Sequence, residues 1–159
     1  MADATATDDR TGNEYRGDQA CSLARAVGVV GQRWAFFILR EAMVGSTRFS
    51  EFRQRLGIAP DILTARLEAL VAAGLMQTRD YRESNQRTRS SYHLSDAGKQ
   101  MVLTIAALQQ WGDEWTPSPT PTSVAFRDRN GQDLRATFID PDGNRVPLDE
   151  VAAVRVWEP

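Results

Sequence analysis

Residues 49–94 read FSEFRQRLGIAPDILTARLEALVAAGLMQTRDYRESNQRTRSSYHL, and the fold turns on how they are read. Phe49, Phe52 and Leu56 fall at i, i+3 and i+7, the spacing of one helix face. Thr47 stands near the start of that helix, and Gly57 supplies a C-terminal stop. Only Gly57-Ile58-Ala59 separates it from Pro60, which suits the first turn of a second helix, where a missing N–H costs nothing. Leu63, Leu67 and Leu70 line one face of this second helix, and Gly74 ends it. Two short helices joined by a three-residue, glycine-containing turn make a helix-turn-helix. Helical hairpins with similar turns are common, so the next twenty residues decide the matter. Leu75 to Arg82 alternates apolar and polar as a strand does, and Ser90 to Leu94 does so again. Between them lies a polar tip carrying Arg87 and Arg89. A two-stranded hairpin directly after the second helix is a wing.

Working outward, Leu23, Ala26, Val27 and Val30 recur at helical spacing, and Gly31 can end that helix. Arg33 to Val44 (RWAFFILREAMV) is apolar almost all round, which predicts a buried helix closed by Gly45. Downstream, Ser95-Asp96-Ala97-Gly98 supplies N-cap chemistry for a long helix through Val102, Ile105, Leu108, Trp111 and Trp115. Thr116 to Thr122 (TPSPTPT) is a stiff, proline-rich linker. Beyond it, Asn130-Gly131 and Asp142-Gly143 are reverse-turn signals within alternating runs, a small β-structure ending near Trp157. The expected organisation is a disordered acidic tail over 1–18, a winged domain over 19–116, a linker over 117–123 and a small β-rich segment over 124–159. The fold class is α+β.

Composition narrows the chemistry. The 159 residues are 42% hydrophobic and 25% charged, as in an ordinary globular protein with one core. The longest apolar stretch, Trp34 to Leu39, is too short to cross a bilayer, and the acidic, polar N-terminus is no secretory signal. These features predict a cytoplasmic protein with no membrane partner. A single cysteine, Cys21, and a single histidine, His93, exclude an internal disulfide and a Cys/His zinc site. With no paired-carboxylate or phosphate-loop motif either, the sequence predicts no catalytic residues, no metal and no cofactor. The net charge of −2 hides a pattern: −3 over residues 1–18, +3 over 19–116 and −2 over 117–159. Nearly all the central positive charge is arginine, Lys99 being the only lysine.

Ordered blocks of residues then resemble a known family, the HxlR-type winged helix-turn-helix transcription regulators, relatives of the MarR group. The blocks are Cys21-Ser-Leu-Ala-Arg-Ala, Gly31-Gln-Arg-Trp34 with Ile38-Leu39-Arg40-Glu41, and Arg48-Phe49-Ser-Glu-Phe52. Ile58 to Leu70, Ala73-Gly74-Leu75, Tyr92 to Gly98 and Trp111-Gly112 follow in order. The family's usual proline after the first cysteine is Ser22 here, and the serine common in the turn is Ala59. Asp61 replaces a basic or neutral residue, and Ser84-Asn85-Gln86 replace wing prolines; these departures bear on DNA sequence preference and wing shape.

The resemblance implies a homodimer that binds double-stranded DNA, a repressor relieved by a small-molecule effector. The helix from Pro60 would be the recognition helix, presenting Asp61, Thr64, Ala65 and Glu68 to the major groove, with Arg66 flanking towards a phosphate or a neighbouring acid. Arg82, Arg87 and Arg89 in the wing, and Arg48 and Arg53 on the first helix of the motif, would meet phosphates. The outer helices, near 20–30 and 96–116, carry more apolar surface than a monomer this small can bury, and in the relatives they form the dimer interface. Trp34, Phe37, Trp111 and Trp115 either pack in the core and interface or line an effector cavity. An alternative control runs through Cys21, because some relatives sense electrophiles or oxidants with a cysteine at this position.

Overall fold

A computed structural model describes residues 21–82, 88–116, 118–120 and 122–154. The tail over 1–18, the hairpin tip with Arg87 and the chain end at Trp157 lie outside the described residues. Among the described residues, five α-helices, one 3-10 turn (Leu148–Glu150) and two small antiparallel sheets make up an α+β fold. In chain order they are α1 (Ser22–Val30), α2 (Arg33–Met43), α3 (Phe49–Leu56), α4 (Pro60–Ala72), β1 (Met76–Tyr81), β2 (Arg89–Leu94), α5 (Asp96–Trp115), β3 (Phe138–Ile139) and β4 (Arg145–Val146).

The core gathers around the helix-turn-helix. Ile38 and Leu39 of α2, Phe52 of α3 and Leu63, Leu67 and Leu70 of α4 are all sealed from solvent. Burying each such side chain contributes about 1.5–3 kcal/mol, so this cluster fixes how α3 and α4 cross. Gly57 makes the turn possible at φ 61°, a left-handed conformation that costs a residue with a Cβ dearly. Pro60 occupies the first turn of α4, as its missing N–H favours. Helix α2 is less uniformly buried than its composition suggests. Ala35, Ile38 and Leu39 point inward together with Glu41, whose carboxylate meets the Arg40 guanidinium at 2.9 Å.

β1 and β2 pair from Met76 opposite Leu94 to Tyr81 opposite Arg89, which is the expected wing. A third line of backbone joins them that the sequence did not signal. Tyr92 N–H donates to the Thr47 carbonyl at 2.7 Å, and Arg48 bridges to Ser91. The start of α3 is thereby stitched to the wing. A two-residue contact has no alternation to read, which is why the pattern missed it.

Helix α5 departs from the hairpin at a tight junction. The Ser95 hydroxyl accepts from Gly98 N–H at 3.0 Å, and Ser95 N–H donates to the Leu75 carbonyl. A Cβ on Gly98 would sit 2.0 Å from that same carbonyl oxygen. Of the apolar residues expected to line this helix, only Ile105 is buried; Val102, Leu108, Trp111 and Trp115 face solvent.

The C-terminal segment repeats one device twelve residues apart. Phe126-x-Asp128-x-Asn130-Gly131-Gln132 matches Phe138-x-Asp140-x-Asp142-Gly143-Asn144. In the first copy the Asp128 carboxylate accepts from Asn130 and Gln132 N–H; in the second, Asp140 accepts from Asp142 and Asn144 N–H. Each glycine stands at positive φ and donates to the carbonyl of the same aspartate. These bonds to the ionised form hold the Asp140 carboxyl below the ordinary aspartate range, Asn144 contributing most. Both predicted turns are present, and each is stapled by a carboxylate. Phe126 packs against the core, so the segment is seated on the winged domain.

Replacing glycine by alanine in an ordinary helix adds up to about 1 kcal/mol of stability. Gly98→Ala should do the reverse, costing about 1–3 kcal/mol through the clash with Leu75. Urea denaturation measures it, and a variant as stable as the wild type would contradict this packing.

Candidate nucleic-acid interface

The outward face of α4 begins at the turn. Pro60, Asp61, Thr64, Ala65 and Glu68 are exposed, while Leu63, Leu67 and Leu70 anchor the helix from behind. Arg66 is half-buried at the flank. Thr64 donates its hydroxyl proton to the Pro60 carbonyl at 2.9 Å, so its oxygen remains only as an acceptor. A helix held this way offers short polar groups rather than long flexible ones. That suits close approach to base edges, where Asp61 can accept from a cytosine amino group.

Cations gather at the start of α3 and on the wing. Arg48 caps α3, and its guanidinium lies 4.9 Å from the centre of the Tyr81 ring at the end of β1. Tyr81 pairs across the hairpin with Arg89. Together with Phe49, Ser50, Ser90 and Tyr92, Tyr81 and Arg89 line a cleft of about 420 Å³ between the start of α3 and the wing. Hydroxyls, one arginine and the start of α3 face this cleft, groups of the kind that contact a phosphate backbone. Arg82 and Arg53 are exposed nearby in sequence, on the wing and on α3. Arg87 lies outside the described residues. Sequence reasoning named Arg48 and Arg89 but missed Tyr81, Ser50 and Ser90. An aromatic residue ending a strand beside an arginine was the available signal.

Glu51 holds the start of α3 in place. Its carboxylate accepts from Thr47 N–H at 2.7 Å and Arg48 N–H at 2.9 Å, closing the N-terminus that the Arg48 side chain decorates. These two bonds, the Arg48 one foremost, keep its pKa below the ordinary glutamate value.

The other expected site residues fall elsewhere. Trp34 and Phe37 meet edge to face at 5.9 Å, with Arg33 over both rings and Arg40 over Phe37. Trp111 and Trp115 stand on α5, 57% and 67% exposed. Cys21 is the N-cap of α1 and half-buried; no hydrogen bond from its side chain caps the helix. A cavity of about 610 Å³ between α5 and the C-terminal segment is lined by none of these five residues.

Comparison with known proteins agrees with this geometry. A family model, HxlR-like helix-turn-helix, matches residues 29–120. An HTH-type transcriptional regulator of Mycobacterium tuberculosis is 40% identical over 106 residues, covering 67% of this chain and 66% of the relative. The match thus spans just under two thirds of that relative's length. Among solved structures, PA1607, a candidate transcription factor, is 32% identical with a TM-score of 0.71, covering 87% of this chain and 98% of that one. That share exceeds what the residues before Val124 can supply, so the likeness reaches into the C-terminal segment. PA1374 from Pseudomonas aeruginosa is 33% identical with a TM-score of 0.60, covering 84% and 90%.

Glu51→Gln should weaken the start of α3 and cost about 1 kcal/mol at neutral pH, the worth of a helix cap. The glutamate's folded pKa is depressed, so its contribution is complete above the ordinary value of 4.5 and fades as pH falls through the folded value. Urea midpoints at pH 7 and pH 3 check it. A gap between wild type and variant that persists undiminished at pH 3 would contradict this role.

Proposed function

The chain belongs to the HxlR-like helix-turn-helix family, and from that membership we propose a double-stranded-DNA-binding transcription regulator acting as a homodimeric, ligand-responsive repressor in the cytoplasm. One observation supports it most: the core that seats the exposed polar start of α4 also seats α3, whose start shares a cleft with the arginine-bearing wing. The roles divide accordingly. Asp61, Thr64 and Ala65 read base edges, with Pro60 setting the entry of the helix. Arg48, Arg66, Arg82, Arg87 and Arg89 meet phosphates and carry affinity rather than sequence. On this reading the chain binds rather than catalyses.

The dimer rests on apolar surface. Leu23 and Val27 of α1 and Leu103, Leu108, Trp111 and Trp115 of α5 are each more than half exposed, a burden that a second copy relieves. Two-fold pairing through these helices would also set two copies of α4 about one DNA turn apart. A second reading, control through Cys21, is favoured by its position as a free thiol at the start of α1. It is separated by Cys21→Ser: a variant still released from DNA by the small-molecule effector leaves thiol control without a role.

Replacing Arg87 and Arg89 together by alanine should weaken binding to all duplexes alike. It should also flatten the slope of log affinity against log salt by about 1–2 units, because each lost phosphate contact releases fewer counterions. Fluorescence anisotropy across a salt series reads it, and an unchanged slope would overturn the wing assignment. Sedimentation at low micromolar concentration should give twice the 17.7 kDa chain mass, falling to one chain in Trp111→Glu. A wild-type species of single-chain mass would contradict the dimer.

A further inference from the structure

We propose that the cleft between α5 and the C-terminal segment is an effector site for an organic monocation with an apolar body. This rests on the ligand-responsive part of the reading above and names the class of ligand. The cleft is a built feature. Gln109 of α5 donates its side-chain amide N–H to the Val124 carbonyl at 2.7 Å, and the Gln110 amide oxygen accepts from Ala136 N–H at 3.1 Å. These two tethers hold the segment against the helix while leaving a cavity of about 610 Å³, within the usual range for small-molecule sites. The first carboxylate-stapled turn keeps Leu134 in register, with its N–H bonded to the Phe126 carbonyl at 2.8 Å. Phe126, Leu134, Ala106 and Ala125 supply apolar lining.

Charge at the cleft selects the ligand. Asp113, Glu114, Asp133 and Arg135 line it. Asp133 is paired with Arg127 at 2.8 Å, and Glu114 lies 4.0 Å from Arg135. Asp113 alone has no cationic partner among the described residues, so one negative charge is left over beside the apolar lining. An anion would meet that charge unopposed, and a neutral ligand would gain nothing from it. A single positive charge on an apolar body satisfies both walls.

The position gives such a ligand leverage. Ala106, Gln109, Gln110 and Asp113 follow at three- and four-residue steps along one face of α5. Leu103, Trp111 and Trp115 lie on another face of the same helix, the one left for a second copy. A ligand wedged between α5 and the C-terminal segment therefore acts on the element that spaces the two α4 helices. This assigns the C-terminal segment a sensing role that the winged domain by itself does not supply.

The test is isothermal titration of the full chain with tetraphenylphosphonium, and with tetraphenylborate, its anionic counterpart of like shape, in sodium buffer without DNA. One cation site per chain is expected, with no matching anion site. Asp113→Asn should lower the cation's affinity about tenfold, the value of one charge-assisted contact. Leu134→Ala, at an exposed position that leaves the core intact, should weaken it as well. Equal binding of both ions, or a cation affinity indifferent to both substitutions, would place the probe on the exposed tryptophans and overturn the proposal. Absence of cation binding at millimolar concentration would also overturn it. A chain that binds duplex yet ignores the cation fails this inference alone, whereas one that binds the cation but no duplex fails the DNA reading alone.

Discussion

Everything that positions the exposed face of α4 depends on one packing constraint, the seating of Leu63, Leu67 and Leu70 in one core with Ile38, Leu39 and Phe52. Three leucines at i, i+4 and i+7 leave α4 no rotational freedom. With its inward face sealed, the helix shows Asp61, Thr64, Ala65 and Glu68 among its solvent-facing residues. The same cluster holds α3 through Phe52, so Arg48 at the start of α3 is placed by the core as well. A void here would loosen both helices at once, and the cost would appear as lost orientation before it appeared as unfolding.

From that core the wing is set by backbone chemistry. Tyr92 N–H bonded to the Thr47 carbonyl, and Glu51 bonded to the amides of Thr47 and Arg48, form a continuous path from β2 to α3. Arg48 stacked on Tyr81 closes the loop at the side-chain level. The cleft beside it therefore follows from one local cap, at Glu51, and two contacts between residues distant in sequence. Helix α5 works differently, since it has a different neighbour on each side. Ile105 faces the core, Gln109 and Gln110 hold the C-terminal segment, and Trp111 and Trp115 are uncovered.

Much of this was legible in the residues. The leucine spacing of α4, the Gly57 turn, Pro60 at the first turn and the alternation in β1 and β2 each carry a local physical reason, and all reappear in the fold. Ser95 was readable as a cap because its hydroxyl chemistry is local. What escaped was non-local. The Thr47–Tyr92 stitch joins residues 45 positions apart and leaves no pattern in either. The apolar character of Trp34 and Phe37 gave no hint that Arg33 and Arg40 would stack on their rings. Asn130-Gly131 and Asp142-Gly143 announced turns, but the matching roles of Asp128 and Asp140 emerge only once both sets of hydrogen bonds are compared.

The central claim is that the α4 face, flanked by the cations of α3 and the wing, lies in the major groove of duplex DNA as one of a two-fold pair. Hydroxyl-radical footprinting on a bound intergenic duplex tests it most directly. The account predicts two protected backbone stretches on one side of the duplex, centred about one helical turn apart. A single short protected stretch, or protection running evenly around the duplex, would contradict it.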